Sequence, residues 1–470
     1  MRLISAILAF LGTASAIMCS TDITTVLVPI DNLRLEPLSG SYRFTGRVQY
    51  DLAAADEDSL VVQLSFAPAT AGSSAPSIIP ESVSGDIGTI AWYSGRRTIY
   101  FACTVDRIPS EAYRAQITLT AERSSVEKRI DTLLAKMQQQ EKVDQLHGNG
   151  GFETIDNTRL SIPGFTMADG PHGVRSGQAT LFPTLAAQAC SWDTSLSYRI
   201  GVALAKEFRA KGKYVALGPM INTVRDPRGG RDFETYSEDP YLMSRMAVAD
   251  VKGIQSLRVI AVPKHLICND MENNRMYYDV QVGQRTLREI YAPAFKACAQ
   301  EAGAWGIMAA YNKANGFFCT ENSSLLKDLL KTEWGFRGFV VSDWGATHST
   351  ANAANGGLDV EMPGGVYFST ALSAALVQGK VTAATIDDKV RRVLRAKIWA
   401  GVLDQPIQQY TADLNSDEHK ALSLEAGRAS MVLAKNEGAI LPLNAQALSS
   451  VAVIGPYADA ARLGGGGSSA

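Results

Sequence analysis

Five apolar runs in this 470-residue sequence end in residues equipped for chemistry. Asp169 follows FTMA, Arg225 to Arg231 follow the run that ends at Gly218-Pro219, Lys264-His265 close a third, Tyr311-Asn312 a fourth and Asp343 the fifth. A carboxylate can attack an electrophilic carbon or carry a proton, and Lys, Arg and His supply donors and positive charge that orient a polar substrate. One charged residue after an apolar run is ordinarily just where the chain meets water. Five in succession fit that explanation poorly, and we expect them to surround one mouth.

The elements that must position them are written in the hydrophobic pattern. The runs KYVALGP (213–219), VIAVPKH (259–265), WGIMAAYN (305–312) and FRGFVVSDW (336–344) alternate with long amphipathic segments such as 194–212 and 284–303. Near-continuous apolar strands alternating with helices indicate a parallel sheet covered on both faces. This pattern over 125–410 fits a (β/α)8 barrel, and periodicity leaves an open doubly wound sheet as the alternative. It begins where Ile130, Leu133, Leu134 and Met137 fall on one helical face.

Before it, residues 21–123 break into short β-rich runs, 24–28, 41–50, 59–66, 97–105 and 113–121, separated by turn-forming residues. This predicts an antiparallel sandwich of immunoglobulin or fibronectin type III character, with AGSSAPS (71–77) as a loop within it. No cluster of catalytic residue types lies there, so a spacer role is favoured over carbohydrate binding. Beyond the barrel pattern, 411–447 reads as a linker, and VAVIGPYAD (451–459) opens a fresh strand within a final piece, 448–470. A strand without partners cannot bury itself, so the expectation is a further domain that is cut short; the alternative is a tail packed on the barrel.

Composition narrows the function classes. A chain this long exceeds the roughly 250–300 residues at which one core stops growing. With 46% hydrophobic and 20% charged residues and a net charge of -2, it is ordinary globular material without a basic stripe, so nucleic-acid binding is not expected. The apolar stretch Leu3 to Leu11 before Ala14-Ser15-Ala16 reads as a secretory signal over 1–16, too short to span a membrane. The expected location is therefore extracellular, with no membrane contact after cleavage. Six cysteines without a CxxC pair and five scattered histidines offer no zinc-binding spacing.

The segments GFTMADGPHGVR (164–175), FPTLAAQACSWD (182–193), GPMINTVRDPRGGRDFETYSEDPY (218–241), KHLICNDMENNR (264–275), IMAAYNKANG (307–316) and VVSDWGATHS (340–349) together resemble the β-glucosidases of glycoside hydrolase family 3. The resemblance covers about residues 125–460, with the motifs in the family's order. It implies a retaining, exo-acting glycosidase without cofactor or metal, whose substrate is a small β-glucoside or oligosaccharide. It also implies that VAVIGPYAD begins an α/β/α sandwich domain, the domain that supplies the acid/base in the family.

By the same resemblance Asp343 is the nucleophile, and the cations near it are expected to depress its pKa. Asp169, Arg231, Lys264, His265 and Arg275 resemble the groups that hold the sugar hydroxyls, Met308 and Tyr311 those beside the nucleophile, and Trp344 the aromatic wall under the ring. Arg175 and Glu272 read as supports behind them, and Glu234 and Glu238 as structural ion-pair residues past the loop tip. No Pro-Gly-His-Gly stretch follows Lys264-His265, which disfavours the β-N-acetylhexosaminidase branch; β-xylosidase specificity and a non-catalytic sugar-binding barrel or inactive fragment are the alternatives kept. No counterpart of the acid/base Glu precedes Ala470.

Overall fold

A computed structural model describes eight strands between residues 24 and 122 and then residues 125–175, 177–404, 411–460, 463–464 and 466–469. The signal read over 1–16 and the loop at 71–77 lie outside the described residues. The chain divides into two compact units, Met1–Thr132 with Lys331–Phe336, and Leu133–Leu330 with Arg337–Ala470.

The first unit holds β1 (Thr24–Val28), β2 (Ile30–Leu38), β3 (Ser41–Leu52), β4 (Ser59–Pro68), β5 (Ser82–Gly85), β6 (Gly88–Ala91), β7 (Gly95–Val105) and β8 (Tyr113–Glu122). They form two antiparallel four-stranded sheets, ordered β1-β8-β4-β6 and β2-β3-β7-β5. The five expected runs are all strands; β2, β5 and β6 are additional. The sequence of β2 breaks the alternation with Asp31, Asn32 and Pro37, and the register slips between Asp31 and Arg34, while β5 and β6 are four residues each and carry Gly85 and Gly88.

Helix α1 (Ser125–Lys136) follows. In the second unit the first three strands are short, wholly buried and parallel: β9 (Met167–Asp169) pairs with β10 (Val215–Leu217), which pairs with β11 (Ile260–Ala261). Past β12 (Asp279–Val280), β13 (Gly306–Ala309), the small β14 (Lys313–Ala314) and β15 (Phe317–Phe318), the last strand is β16 (Phe339–Ser342). β13 and β16 are parallel partners, and single parallel bridges extend the pairing from Leu266 to Ala309, from Val341 to Val360 and from Glu361 to His147. Every side chain of β9, β10, β11, β13 and β16 is buried, which is why these runs read as continuously apolar.

Helices α2 (Thr194–Ala210), α3 (Pro240–Ser256), α4 (Pro293–Gln300), α5 (Ala383–Trp399) and α6 (Asp417–Ala429) accompany the strands. Asp193 and Asp239 cap α2 and α3 by accepting their first free N–H groups. These two helices cross at Gly201 and Gly253, where an added Cβ would sit 2.5 Å from the Asp250 carbonyl oxygen and 2.3 Å from that of Tyr198. The helix expected over 284–303 is interrupted: Pro293 lacks an N–H, the turn before it widens over Leu287–Tyr291, and the Ala292 N–H reaches the Leu287 carbonyl at 2.8 Å. Two expectations for the end of the chain change. The segment read as a linker contains α6, whose buried His419 contacts Glu207 of α2 at 2.8 Å, because an amphipathic helix gains more by docking than by staying solvated. VAVIGPYAD forms no strand, and Val451, Val453 and Ile454 are exposed, since no strand among the described residues pairs with it.

The α2–α3 crossing also encloses Asp250, whose Oδ2 accepts the Tyr236 hydroxyl at 3.0 Å. Burial pushes this carboxyl up to about 7. An unfolded aspartate ionises near roughly 3.9, so raising the pH from there to about 7 favours the unfolded chain, and below that window the group is neutral in both states. Asp250→Asn is expected to remove a pH-dependent loss on the order of 4 kcal/mol, seen as a flatter stability profile across this window in urea denaturation at several pH values.

Candidate active site

The strand ends do converge. Asp169, Arg231, Lys264, His265, Arg275, Met308, Tyr311, Asp343 and Trp344, every site residue expected from the sequence, line one pocket of about 460 Å3 in the second unit. Arg175 and Glu272, read as supports, are also in its wall, and so is Glu234; Glu238 is exposed on the surface. Phe152, Gly230, Phe233 and Gly466 to Ser468 complete the wall without having been expected there.

The sheet sets the backbone of the key residues. Asp169 is the last residue of β9, and the Asp343 N–H, one residue past β16, donates to the Ala309 carbonyl at 3.1 Å. The Lys264 N–H donates to the Pro219 carbonyl at 2.9 Å, and its own carbonyl accepts the Ile221 N–H at 2.7 Å. Residues held this way move with the sheet rather than with a loop, which suits groups that must stay in register with a substrate.

Charge pairing then orders the side chains. Lys264, only 2% exposed, donates from Nζ to Asp169 Oδ1 at 2.9 Å, and Arg175 reaches Asp169 Oδ2 at 3.2 Å. Arg231 pairs with Glu234 and donates to His265 Nε2 at 3.2 Å and to Ser468 Oγ at 3.0 Å. Arg275 pairs with Glu272, which also accepts from Asn269 Nδ2 at 2.9 Å, and its guanidinium lies 4.7 Å above the Tyr311 ring. Burial pushes the Glu234 carboxyl up, yet the Arg231 and Lys264 charges outweigh it and hold the group at about 2. Burial, followed by the charges of Arg231, Lys264 and Arg275, drives His265 well below its ordinary range, so its ring is neutral.

Asp343 is different. Its Oδ1 accepts the Trp344 N–H at 2.7 Å, while Oδ2 is buried without a hydrogen-bond partner. The His265 Nε2 stands 3.4 Å from Oδ2, but a neutral ring that already accepts from Arg231 there makes no ion pair with it. The expected depression of the Asp343 pKa is reversed: burial pushes it up, and Lys264, the Trp344 N–H and Arg231 offset only part of that. Spacing reveals nearby cations but not the loss of water around the carboxylate, and desolvation is the larger effect. The Trp344 indole N–H donates to the Gly151 carbonyl at 3.1 Å, and its ring lies 4.9 Å from that of Phe152 at a tilt of 33°, giving the pocket an aromatic stretch of wall.

Behind the pocket, the end of α2 holds the loop that carries Arg175. Lys211 Nζ donates to the Val174 carbonyl at 3.0 Å and approaches those of Arg175 and Gly177 at 3.5 and 3.4 Å. Glu207, fully buried, accepts the Thr180 N–H at 2.8 Å from the same loop, and the Asn415 N–H at 3.1 Å and His419 from the α6 side.

Glu234, read from the sequence as an ion-pair residue past the loop tip, does pair with Arg231 but stands in the pocket wall, and its place three positions after Arg231 in a 3-10 turn was a readable signal of that pairing. Ser468 had none. Its hydroxyl contacts Glu234 at 2.7 Å from a Gly-rich tail that carries no motif.

A family model described as the glycosyl hydrolase family 3 N terminal domain matches residues 116–396. The chain belongs to that family. It is 41% identical over 347 residues to a beta-glucosidase of Rhizobium radiobacter, covering 72% of this chain and 42% of that protein. To thermostable beta-glucosidase B of Acetivibrio thermocellus it is 39% identical over 354 residues, covering 72% and 46%. Among solved structures, DesR, a beta-glucosidase from Streptomyces venezuelae in complex with D-glucose, aligns with a TM-score of 0.63 at 35% identity, covering 67% of this chain and 43% of that one. The chain thus spans less than half the length of each of these relatives.

The buried Lys264–Asp169 pair gives the site a stability signature. Lys264→Met leaves Asp169 with Arg175 alone and is expected to lower the unfolding free energy by about 3–5 kcal/mol, with part recovered in the double variant with Asp169→Asn. Chemical denaturation of the two single variants and the double variant measures both effects.

Proposed function

We propose that this chain carries the sugar-binding and nucleophile-bearing part of a retaining, exo-acting β-glucosidase that releases terminal non-reducing β-D-glucosyl residues from oligosaccharides or glucosides. The observation that carries this is the charge pattern. Of the four carboxylates in the pocket wall, Asp169, Glu234 and Glu272 are ion-paired with Lys or Arg, and Asp343 alone is not, its buried side chain facing the Tyr311 hydroxyl and the neutral His265 ring instead. In the proposed reaction Asp343 Oδ2 attacks the anomeric carbon as the bond to the leaving oxygen breaks, and water later hydrolyses the glycosyl ester. The leaving oxygen needs a proton from a protonated acid, and ion-paired carboxylates cannot give one. We therefore place the acid/base outside the described residues, in keeping with relatives more than twice as long as the matched region.

Asp169 takes the hydroxyls at the far edge of the sugar, with Lys264, Arg231, His265 and Arg275 around the ring, Met308 and Tyr311 beside the nucleophile and Trp344 as the apolar floor. Glucose as the sugar is supported by the relatives' names and by the glucose bound to DesR and to the beta-glucosidase of Kluyveromyces marxianus. The order of parallel pairings supports a (β/α)8 barrel, the two antiparallel sheets support a preceding sandwich, and the apolar opening with its Ala-x-Ala site supports secretion.

A 2-fluoro glucoside with a dinitrophenyl leaving group tests the assignment, because an activated aglycone departs without acid assistance. Peptide mass spectrometry is expected to find the label on Asp343, and unactivated cellobiose is expected to turn over slowly or not at all. Labelling elsewhere, or none in a folded protein that binds glucose, rejects the nucleophile. Since burial raises the Asp343 pKa, the labelling rate should fall with acidification through a value above the roughly 3.9 of a free aspartate.

A further inference from the structure

Asn222 lies past β10, is 3% exposed and stands outside the pocket wall, yet its side chain makes three contacts with one residue of the site, His265. Its Nδ2 donates to the His265 carbonyl oxygen at 2.8 Å, and its Oδ1 accepts the His265 backbone N–H at 2.9 Å. Those two backbone groups settle the direction of the amide, because a flipped one would set donor against donor and acceptor against acceptor. The oxygen so fixed also faces His265 Nδ1 at 3.1 Å. An amide oxygen only accepts, so Nδ1 carries the imidazole proton and, in the neutral ring, Nε2 carries the lone pair. The second neighbour of the ring agrees: Arg231, which can only donate, approaches Nε2 at 3.2 Å.

We infer that Asn222 is a positioning residue: by fixing the tautomer of His265 it keeps a hydrogen bond away from Oδ2 of Asp343, 3.4 Å from Nε2. The inference rests on the proposed role of Asp343 as nucleophile. Were the proton on Nε2, it would point at Oδ2 and occupy the electron pair that must form the bond to the anomeric carbon; that hydrogen bond would have to break before attack. With the proton on Nδ1, the Nε2 lone pair accepts from Arg231 and the ring has no proton to give Oδ2, so the oxygen stays available. A backbone-anchored amide thus controls, through one ring, an atom it does not touch.

The tautomer can be read directly. With 15N-labelled imidazoles, five histidine signals are expected, and His265→Gln identifies the one concerned. In the wild type Nδ1 should resonate as a proton-bearing nitrogen and Nε2 as a bare one. Asn222→Ala should shift the proton toward Nε2 and slow 2-fluoro glucoside labelling of Asp343 about tenfold or more. Asn222→Asp, which keeps an acceptor opposite Nδ1, should keep that nitrogen protonated, a rescue that a purely structural role does not require. An unmoved tautomer in Asn222→Ala, or a moved one with an unchanged labelling rate, overturns the inference. Absence of labelling in the wild type overturns the nucleophile assignment instead, a result distinct from either.

Discussion

A lysine ammonium at 2% exposure is the constraint around which the pocket is arranged. Water cannot solvate Lys264, so Asp169 must, and Asp169 in turn is braced by Arg175. The same rule repeats around the wall with Arg231 and Glu234 and with Arg275 and Glu272. These paired groups comprise four cations, Lys264, Arg175, Arg231 and Arg275, and three carboxylates, Asp169, Glu234 and Glu272. The pairs leave one positive charge over. Asp343 is the group that balances it, which gives a physical reason for a buried carboxylate to ionise without an ion pair of its own to Lys or Arg.

The scaffold supplies what charge alone cannot, a fixed direction for each side chain. Short parallel strands set the backbone of Asp169, Lys264 and Asp343, and the end of α2 sets the loop bearing Arg175 through Lys211 and Glu207. Glu207 is shared with α6, so the helix that follows the barrel pattern and the loop at the pocket edge depend on one buried carboxylate.

Much of this was legible in the sequence because parallel strands buried on both faces leave an unmistakable apolar run, and the polar residue that ends such a run is in the pocket. Asp169, Lys264 and Asp343 were found that way. The pKa of Asp343 was not, since spacing shows charges and not lost water. Ser468 was not, because glycine and serine near the end of the chain carry no periodicity and nothing in a linear reading brings them to Arg231. The strand expected at 451–459 failed for a related reason: apolar residues in a row state a preference that only a neighbouring strand can satisfy.

The Ser468 contact has a bearing on how the site is built in time. Arg231 and Ser468 are separated by 237 positions, so their encounter closes a loop of about half the sequence. A ribosome releases residues in order, and the strands carrying Asp169, Lys264 and Asp343 can pair while the Gly-rich segment is still in the exit tunnel. In that order of emergence the contact that Ser468 gives Arg231 joins after the strand-borne groups, because it is synthesised 237 positions after its partner.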